Sequence, residues 1–320
     1  MFYGKSRIVI WRSASGAGIP LSELYFNVDI LLNSKFMKVQ EFLTYCEKRN
    51  LSKLTVRNYR QHLKDFYIFL QDRKDMDEVS SNDLLEFISE QAESVSARSV
   101  NIKMASLRVY FDFLCRFHGL QLNPTLSIAK CKEEKKLPRY IPQEKIDALL
   151  ERMPEESFKQ LRSKAVICFF YMTGARCCEV AGLHDVDIDL RAGRVLLFGK
   201  GKKERLVPIC SKLSVILRKY MAKRDLVCPS HDASLFCSVS GAGLSDWELR
   251  RIVSTALCSI VPRDWAHPHI LRHTFATVLL NHGKPIEQIS RWLGHSNIAV
   301  TQTYLTIANN PAVNNFEMVF

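Results

Sequence analysis

Four separated clusters in the second half of the 320-residue chain hold residue types that do chemistry on an anion. The first is Thr173-Gly-Ala-Arg176-Cys-Cys-Glu179. Arg176 follows a glycine turn and opens a helix, where free backbone N–H groups already favour negative charge. Glu179 lies three residues on and is spaced to hold the guanidinium. Standing alone, the pair reads as a surface ion pair. The second cluster, Gly199-Lys200-Gly-Lys202-Lys203, is a glycine-flexed hairpin tip whose lysines can reach a phosphate. It is not a Walker loop, because that pattern runs GxxxxGK[ST] into a helix and this turn runs into the strand Arg205-Leu-Val-Pro208. The third, His267-Pro-His269-Ile-Leu-Arg272-His273, puts His269 and Arg272 on one helix face, with Leu271 and Phe275 pointing elsewhere. Its three histidines make zinc conceivable, yet HILRH lacks the glutamate of HExxH and no cysteine partner lies nearby, so no metal is expected.

The fourth cluster is Trp292-Leu-Gly294-His295-Ser296, followed by Thr301-Gln-Thr-Tyr304. His295 and Tyr304 would lie on opposite sides of one continuous helix. Gly294 and Ser296 read as a stop and a new N-cap, so the chain turns and both side chains can face one site. Alone, Tyr304 reads as a core tyrosine. Together the clusters supply two arginines, a mobile lysine, two histidines and a tyrosine, with no carboxylate cage for a metal. That set suits phosphoryl transfer through positioned cations and a covalent tyrosine, and calls for no cofactor.

The elements that must position these residues fall into two groups. Residues 37–130 are helical throughout. Val39, Phe42, Leu43 and Cys46 form one apolar stripe, and Thr55 reads as the N-cap of a helix whose apolar face is Tyr59, Leu63, Phe66, Ile68, Phe69 and Leu70. Ser81 reads as the cap of a third helix carrying Leu84, Leu85, Phe87 and Ile88. The fourth, from Ala97 to His118, carries Ile102, Leu107, Tyr110, Phe111, Phe113 and Leu114. The polar faces hold Lys53, Arg57, Arg60, Lys64, Arg98, Lys103 and Arg108, which with Lys202 and Lys203 are the expected DNA contacts. Residues 131–142 are charged and proline-bounded, as in a linker. A second domain, 143–308, is expected to mix helices at 143–152, 162–172, 211–223, 245–260, 269–282, 286–293 and 297–307 with a hairpin of 194–198 and 205–209. Residues 309–320 form a tail. Residues 1–36 lack periodicity and read either as a flexible extension or as upstream reading frame, with Met37 as the start.

Composition agrees. Lys and Arg total 45 against 33 acidic residues, a net charge of +12, which points to a polyanionic partner. With 47% hydrophobic and 24% charged residues the chain can bury a core, which excludes a disordered or fibrous protein. The longest apolar stretch, Ala165 to Met172, is far short of the roughly 18 residues of a membrane span. The 10 cysteines lack CxxC spacing and no secretory leader precedes them, so reduced cytoplasmic thiols are expected.

In these four boxes the sequence resembles the tyrosine recombinases, the phage-integrase and Xer group. Thr173 to Leu183 is similar to the first arginine box, Gly199 to Pro208 to the β-hairpin with its lysine at Lys200, His269 to Thr277 to the HxxR box, and Leu293-Gly-His295 with Tyr304 to the last two boxes. The resemblance covers Met37 to Ile307. It implies a mainly α protein with a small β-sheet: an all-α core-binding (SAM-like) domain and an α+β catalytic domain, forming a C-shaped clamp on duplex DNA. It further implies that Tyr304 attacks the scissile phosphate to give a 3′-phosphotyrosyl link. Arg176 and Arg272 would hold the non-bridging oxygens and Lys200 would protonate the 5′-oxygen. His269 would act as base, His295 would complete the anion pocket, and Glu179 would support Arg176. Neither ATP nor metal is required. The implied partners are double-stranded DNA with short inverted repeats and three further subunits, copies of the chain or a paralogue. The implied setting is the nucleoid, and the implied outcome integration, excision, inversion or dimer resolution. The competing readings are a non-cleaving DNA-binding regulator, for which Tyr304 would be superfluous, and a type IB topoisomerase-like enzyme.

Overall fold

The computed structural model describes residues 37–70, 75–134, 139–199, 203–228, 232–294 and 299–302. The chain divides into two compact units, one up to Lys135 and one from Lys136.

The first unit is built from α1 (Met37–Lys48), α2 (Lys53–Leu70), α3 (Ser81–Ala92) and α4 (Ala97–Phe117). In α1 the stripe Val39, Phe42, Leu43 and Cys46 is buried, as its spacing requires. Helix α2 starts at Lys53 rather than after Thr55, because the capping oxygen is that of Ser52, which accepts from Thr55 N at 3.1 Å. The cap of α3 is likewise Ser80, which forms a capping box with Asp83. The Ser81 hydroxyl instead donates to the Pro124 carbonyl at 3.0 Å. Ile68, Leu85 and Ile102, expected inside, are about half exposed. They lie off the stripes that meet the core, such as Val56, Leu63, Phe66 and Leu70 of α2. Edge-to-face pairs of Phe42 with Tyr110 (5.3 Å) and Phe66 with Phe87 (5.0 Å) join the helices, each worth about 1 kcal/mol beyond its burial. After α4 the chain folds back: Asn101 donates to Cys131 O and accepts from Cys131 N, at 2.9 and 2.8 Å. At the other end of the expected linker, Ile141 is buried in the second unit and donates to Thr274 Oγ1 at 2.9 Å.

The second unit packs around α6 (Phe158–Thr173), apolar on nearly every side and so buried along most of its length. It begins four residues earlier than the expected 162 because Ser157 and Gln160 form a capping box. Around it lie α5 (Gln143–Arg152), the short α7 (Cys177–Ala181), α8 (Ser211–Val227), α9 (Asp246–Leu257), α10 (Pro268–Asn281), α11 (Ile286–Leu293) and α12 (Ala299–Gln302). An antiparallel sheet of order β1 (Ile188–Asp189), β2 (Arg194–Phe198), β3 (Glu204–Pro208) packs through β2 on α7 and through β3 on α11. The hairpin was expected; the two residues of β1 are too few to show alternation. In the β2–β3 register Val195 faces Val207, and both are fully buried. Gly174 ends α6 with φ of 62°, and a Cβ there would come 2.6 Å from Phe275, so only glycine lets α6 and α10 approach so closely. Among the described residues no helix is long and apolar enough to cross a membrane.

Candidate active site

Three of the expected site residues meet where α6, α10 and α11 end or begin. Arg176 is the N-cap residue of α7, and Glu179 returns to it twice. The Glu179 carboxylate accepts from Arg176 N at 2.7 Å and from Arg176 Nη1 at 2.9 Å. Arg272, on α10, donates from Nη1 to Gly174 O at 2.7 Å and from Nη2 to Leu293 O at 2.6 Å. It is 4% exposed.

A third arginine, to which the sequence reading gave no role, completes the group. Arg205 of β3 forks onto Glu179, donating from Nη1 to Oε1 at 2.6 Å and from Nη2 to Oε2 at 2.7 Å. Its Nε donates to Trp292 O at 2.6 Å. Arg176 Nη2 in turn donates to Gly294 O at 3.1 Å. Three successive carbonyls at the end of α11, those of Trp292, Leu293 and Gly294, therefore each accept from a different arginine. A helix C-terminus leaves its last carbonyls without intrahelical partners and carries partial negative charge, so it is a natural seat for guanidinium groups. Gly294 makes the turn with φ of 64°, and a Cβ there would meet Arg205 Cδ at 2.9 Å. The signal for Arg205 was present in the alternation of β3: it stands two residues before the fully buried Val207 and so shares its inward face.

The electrostatics follow from this packing. The Glu179 side chain is wholly buried, and burial alone would raise its carboxyl. The hydrogen bonds and charge of Arg205, then those of Arg176, outweigh burial and hold it below the usual glutamate value. One anion thus sits among three cations, which leaves the group positive. Arg176 is its outward member, 31% exposed against 9% for Arg205. His269 lies one helical turn before Arg272, at the start of α10, with an exposed side chain. Desolvation of its ring by the surrounding protein, followed by the charges of Arg272, His267, Arg250 and Arg176, lowers its pKa. The imidazole is therefore neutral at neutral pH and able to accept a proton.

Arg176, Glu179, Arg272 and His269 are thus gathered in one place. Lys200, Lys202, His295 and Tyr304 lie outside the described residues. Lys203 is exposed where the hairpin enters β3, and its carbonyl accepts from Gly199 N at 2.8 Å. Cys177 and Cys178 stay clear of the arginines: the Cys177 thiol is buried against Asp246 O at 3.4 Å, and Cys178 is exposed. In the first unit Lys53, Arg57, Arg60 and Lys64 form one exposed stripe along α2, and Arg98 is exposed at the start of α4. Two of the expected DNA contacts are committed inside the unit. Lys103 pairs with Asp65 at 2.7 Å and also donates to Gln91. Arg108 donates to the carbonyls of Thr125 and Ile128. The Arg108 bonds pin the 123–128 turn to α4, and those of Lys103 join α4 to α2 and α3.

Residues 139–310 match the phage integrase family, and residues 39–118 match the phage integrase N-terminal SAM-like domain. The chain is 32% identical over 281 residues to the tyrosine recombinase XerC of Thermodesulfovibrio yellowstonii, covering 86% of this chain and 92% of that protein. It is 31% identical over 287 residues to XerC of Bacillus subtilis, covering 87% and 94%. Among solved structures, the XerH site-specific recombinase in its post-cleavage complex with palindromic difH substrate shares the fold at a TM-score of 0.70 and 22% identity, over 82% of this chain and 79% of that one. A lambda integrase dimer bound to a COC′ core site shares it at 0.65 and 14%, over 83% and 93%. The chain belongs to the phage integrase family of tyrosine recombinases, site-specific recombinases that break and rejoin DNA.

Proposed function

We propose that the chain recombines duplex DNA at short inverted sites through a covalent 3′-phosphotyrosyl intermediate on Tyr304, as one of four subunits assembled on two sites. The observation that carries the reading is the pair Arg176 and Arg272. Drawn from distant boxes, they are braced side by side on the carbonyls of Gly294 and Leu293, with Arg176 turned outward. Rigid cations of this kind are what a phosphoryl transfer needs, since charge grows on the non-bridging oxygens in the transition state.

The Tyr304 oxygen attacks phosphorus, the bond to the 5′-oxygen breaks, and the strand is held as a phosphotyrosine. His269, neutral through its surroundings, takes the tyrosine proton. Lys200 gives a proton to the departing 5′-oxygen, and His295 adds a donor to the phosphate pocket. Rejoining to another strand's 5′-hydroxyl runs the same steps backwards, so bond energy is conserved without ATP or a metal. The exposed stripe of α2 supplies sequence-independent phosphate contacts. The palindromic substrate of the XerH complex supports the inverted symmetry of the target, and the work is done in the cytoplasm, on the nucleoid.

The test is covalent capture. Wild-type protein incubated with fragmented genomic DNA of its host and quenched in detergent is expected to carry a DNA adduct. Tyr304→Phe is expected to bind the same fragments and carry none, because losing one hydroxyl leaves the phosphate contacts in place. An adduct in the variant means the nucleophile is another residue.

A further inference from the structure

We propose that Arg205 is a positioning residue of the reaction: by occupying both oxygens of Glu179 and the Trp292 carbonyl, it keeps the Arg176 guanidinium turned toward the substrate phosphate. The inference rests on the recombinase chemistry proposed above and adds to it a residue that none of the four boxes marks as catalytic.

The argument is one of competition. Glu179 is wholly buried, and a buried carboxylate draws in whatever cation it can reach. Two arginines lie within its reach. Arg205 takes it by the fork, at 2.6 and 2.7 Å, whereas Arg176 touches it with a single Nη, at 2.9 Å. The second Nη of Arg176 goes to Gly294 O. A planar fork on both carboxylate oxygens is the stronger arrangement, so Arg205 takes most of the anion's demand. Arg176 is thereby fixed but not consumed. Without Arg205, the two Glu179 oxygens would compete with the phosphate for both Nη groups of Arg176. The third bond of Arg205, from Nε to Trp292 O, ties the same device to the end of α11, from which the chain runs directly to His295. Arg205 also lies on the strand that leaves the hairpin holding Lys200.

A double-variant cycle separates this role from simple bracing. The probe is a nicked duplex built from a site captured by wild-type protein, and the readout is the single-turnover rate of adduct formation beside DNA affinity. Arg205→Gln is expected to slow the step about 100-fold with affinity little changed, and Glu179→Gln about 10-fold. The double variant is expected to be no slower than Glu179→Gln alone, since without the carboxylate nothing competes for Arg176. Losses that multiply to about 1000-fold overturn the proposal and leave Arg205 as a brace. Should Arg205→Gln not fold, Arg205→Lys, which keeps the charge and loses the fork, decides: a loss of about tenfold or more that Glu179→Gln cancels supports the proposal, and a rate equal to that of wild type, or a loss that multiplies with that of Glu179→Gln, overturns it. Failure of wild type itself to form an adduct would refute the recombinase chemistry, an outcome distinct from a failed cycle.

Discussion

Two arginines in the catalytic unit fork onto carboxylates in nearly the same way, yet only one stands in the site. Arg224 of α8 donates to both oxygens of Asp185 at 2.7 Å, to Asp225 at 2.9 Å, and to the carbonyls of Ser234 and Leu235. It is the buried partner, 1% exposed, while Asp185 is 27% exposed. Arg205 and Glu179 reverse this: the carboxylate is sealed at 0%, and a second cation, Arg176, reaches the surface. A buried cation ringed by acceptors closes a seam and offers nothing outward. A buried anion shared by two cations leaves positive charge to spare, held rigidly and aimed at solvent. The difference lies in which partner is buried and whether the carboxylate is shared.

That contrast is broken most sharply by removing each cation. Arg176→Ala is expected to slow adduct formation at least about 1000-fold and to cost less stability than Arg224→Ala, because Arg176 is partly exposed and the Arg205 fork still pairs Glu179. Arg224→Ala is expected to do the opposite. Leaving Asp185 and two carbonyls without their donor should cost about 3 kcal/mol of stability, with the rate of the folded fraction within a few-fold of wild type. Thermal unfolding run beside single-turnover kinetics checks both. A slow but fully stable Arg224→Ala would erase the distinction.

An intermediate effect is expected where backbone and site meet. Gly294→Ala places a Cβ at a φ of 64° and 2.9 Å from Arg205 Cδ, so the guanidinium must shift. Gly119→Ala meets the same kind of backbone, φ of 73°, with nothing within 4 Å. Both should lose about 1 kcal/mol from strain alone. Only Gly294→Ala should also slow adduct formation, by about tenfold, because only there does the methyl displace a positioning group. Equal rates in the two variants would show that the Arg205 side chain tolerates displacement.

The sequence made these elements legible to different degrees. The stripe Val39, Phe42, Leu43 and Cys46 and the alternation of Val195 and Val207 report burial directly, so α1 and the hairpin were readable from type and spacing. Caps were readable only to within one to three residues, because Ser52 and Thr55, or Ser80 and Ser81, offer the same hydroxyl and only geometry chooses between them. Arg176, Glu179 and Arg272 were legible because their boxes place cations near a glycine turn and on a helix face. The alternation of β3 places Arg205 on the inward face, but its role depends on carbonyls at the end of α11, a tertiary relation that alternation does not report. Lys103 and Arg108 show the reverse case. Their charge is legible in the sequence, whereas the groups that hold them, Asp65 and Gln91 for Lys103 and the Thr125 and Ile128 carbonyls for Arg108, are tertiary partners.

The smallest expected effect sharpens the comparison through acid. Glu179 is held below its ordinary value because Arg205 and Arg176 outweigh the burial that would raise it. An unfolded glutamate titrates near about 4.3. Between that value and the lower folded one, the unfolded chain binds more protons than the folded chain, so stability rises with pH across the window. The contribution is complete above the unfolded value and is lost as pH falls through the folded one. Glu179→Gln lacks the carboxylate and should therefore be less stable than wild type at pH 7, by less than the Arg224→Ala loss. The gap should narrow as pH is lowered below about 4, where wild type protonates and the variant does not. Urea unfolding of both proteins at neutral and at acid pH measures the gap. A gap that stays constant or widens on acidification would mean the carboxylate is not held ionised by the two arginines, and the shared-anion account of the site would fail with it.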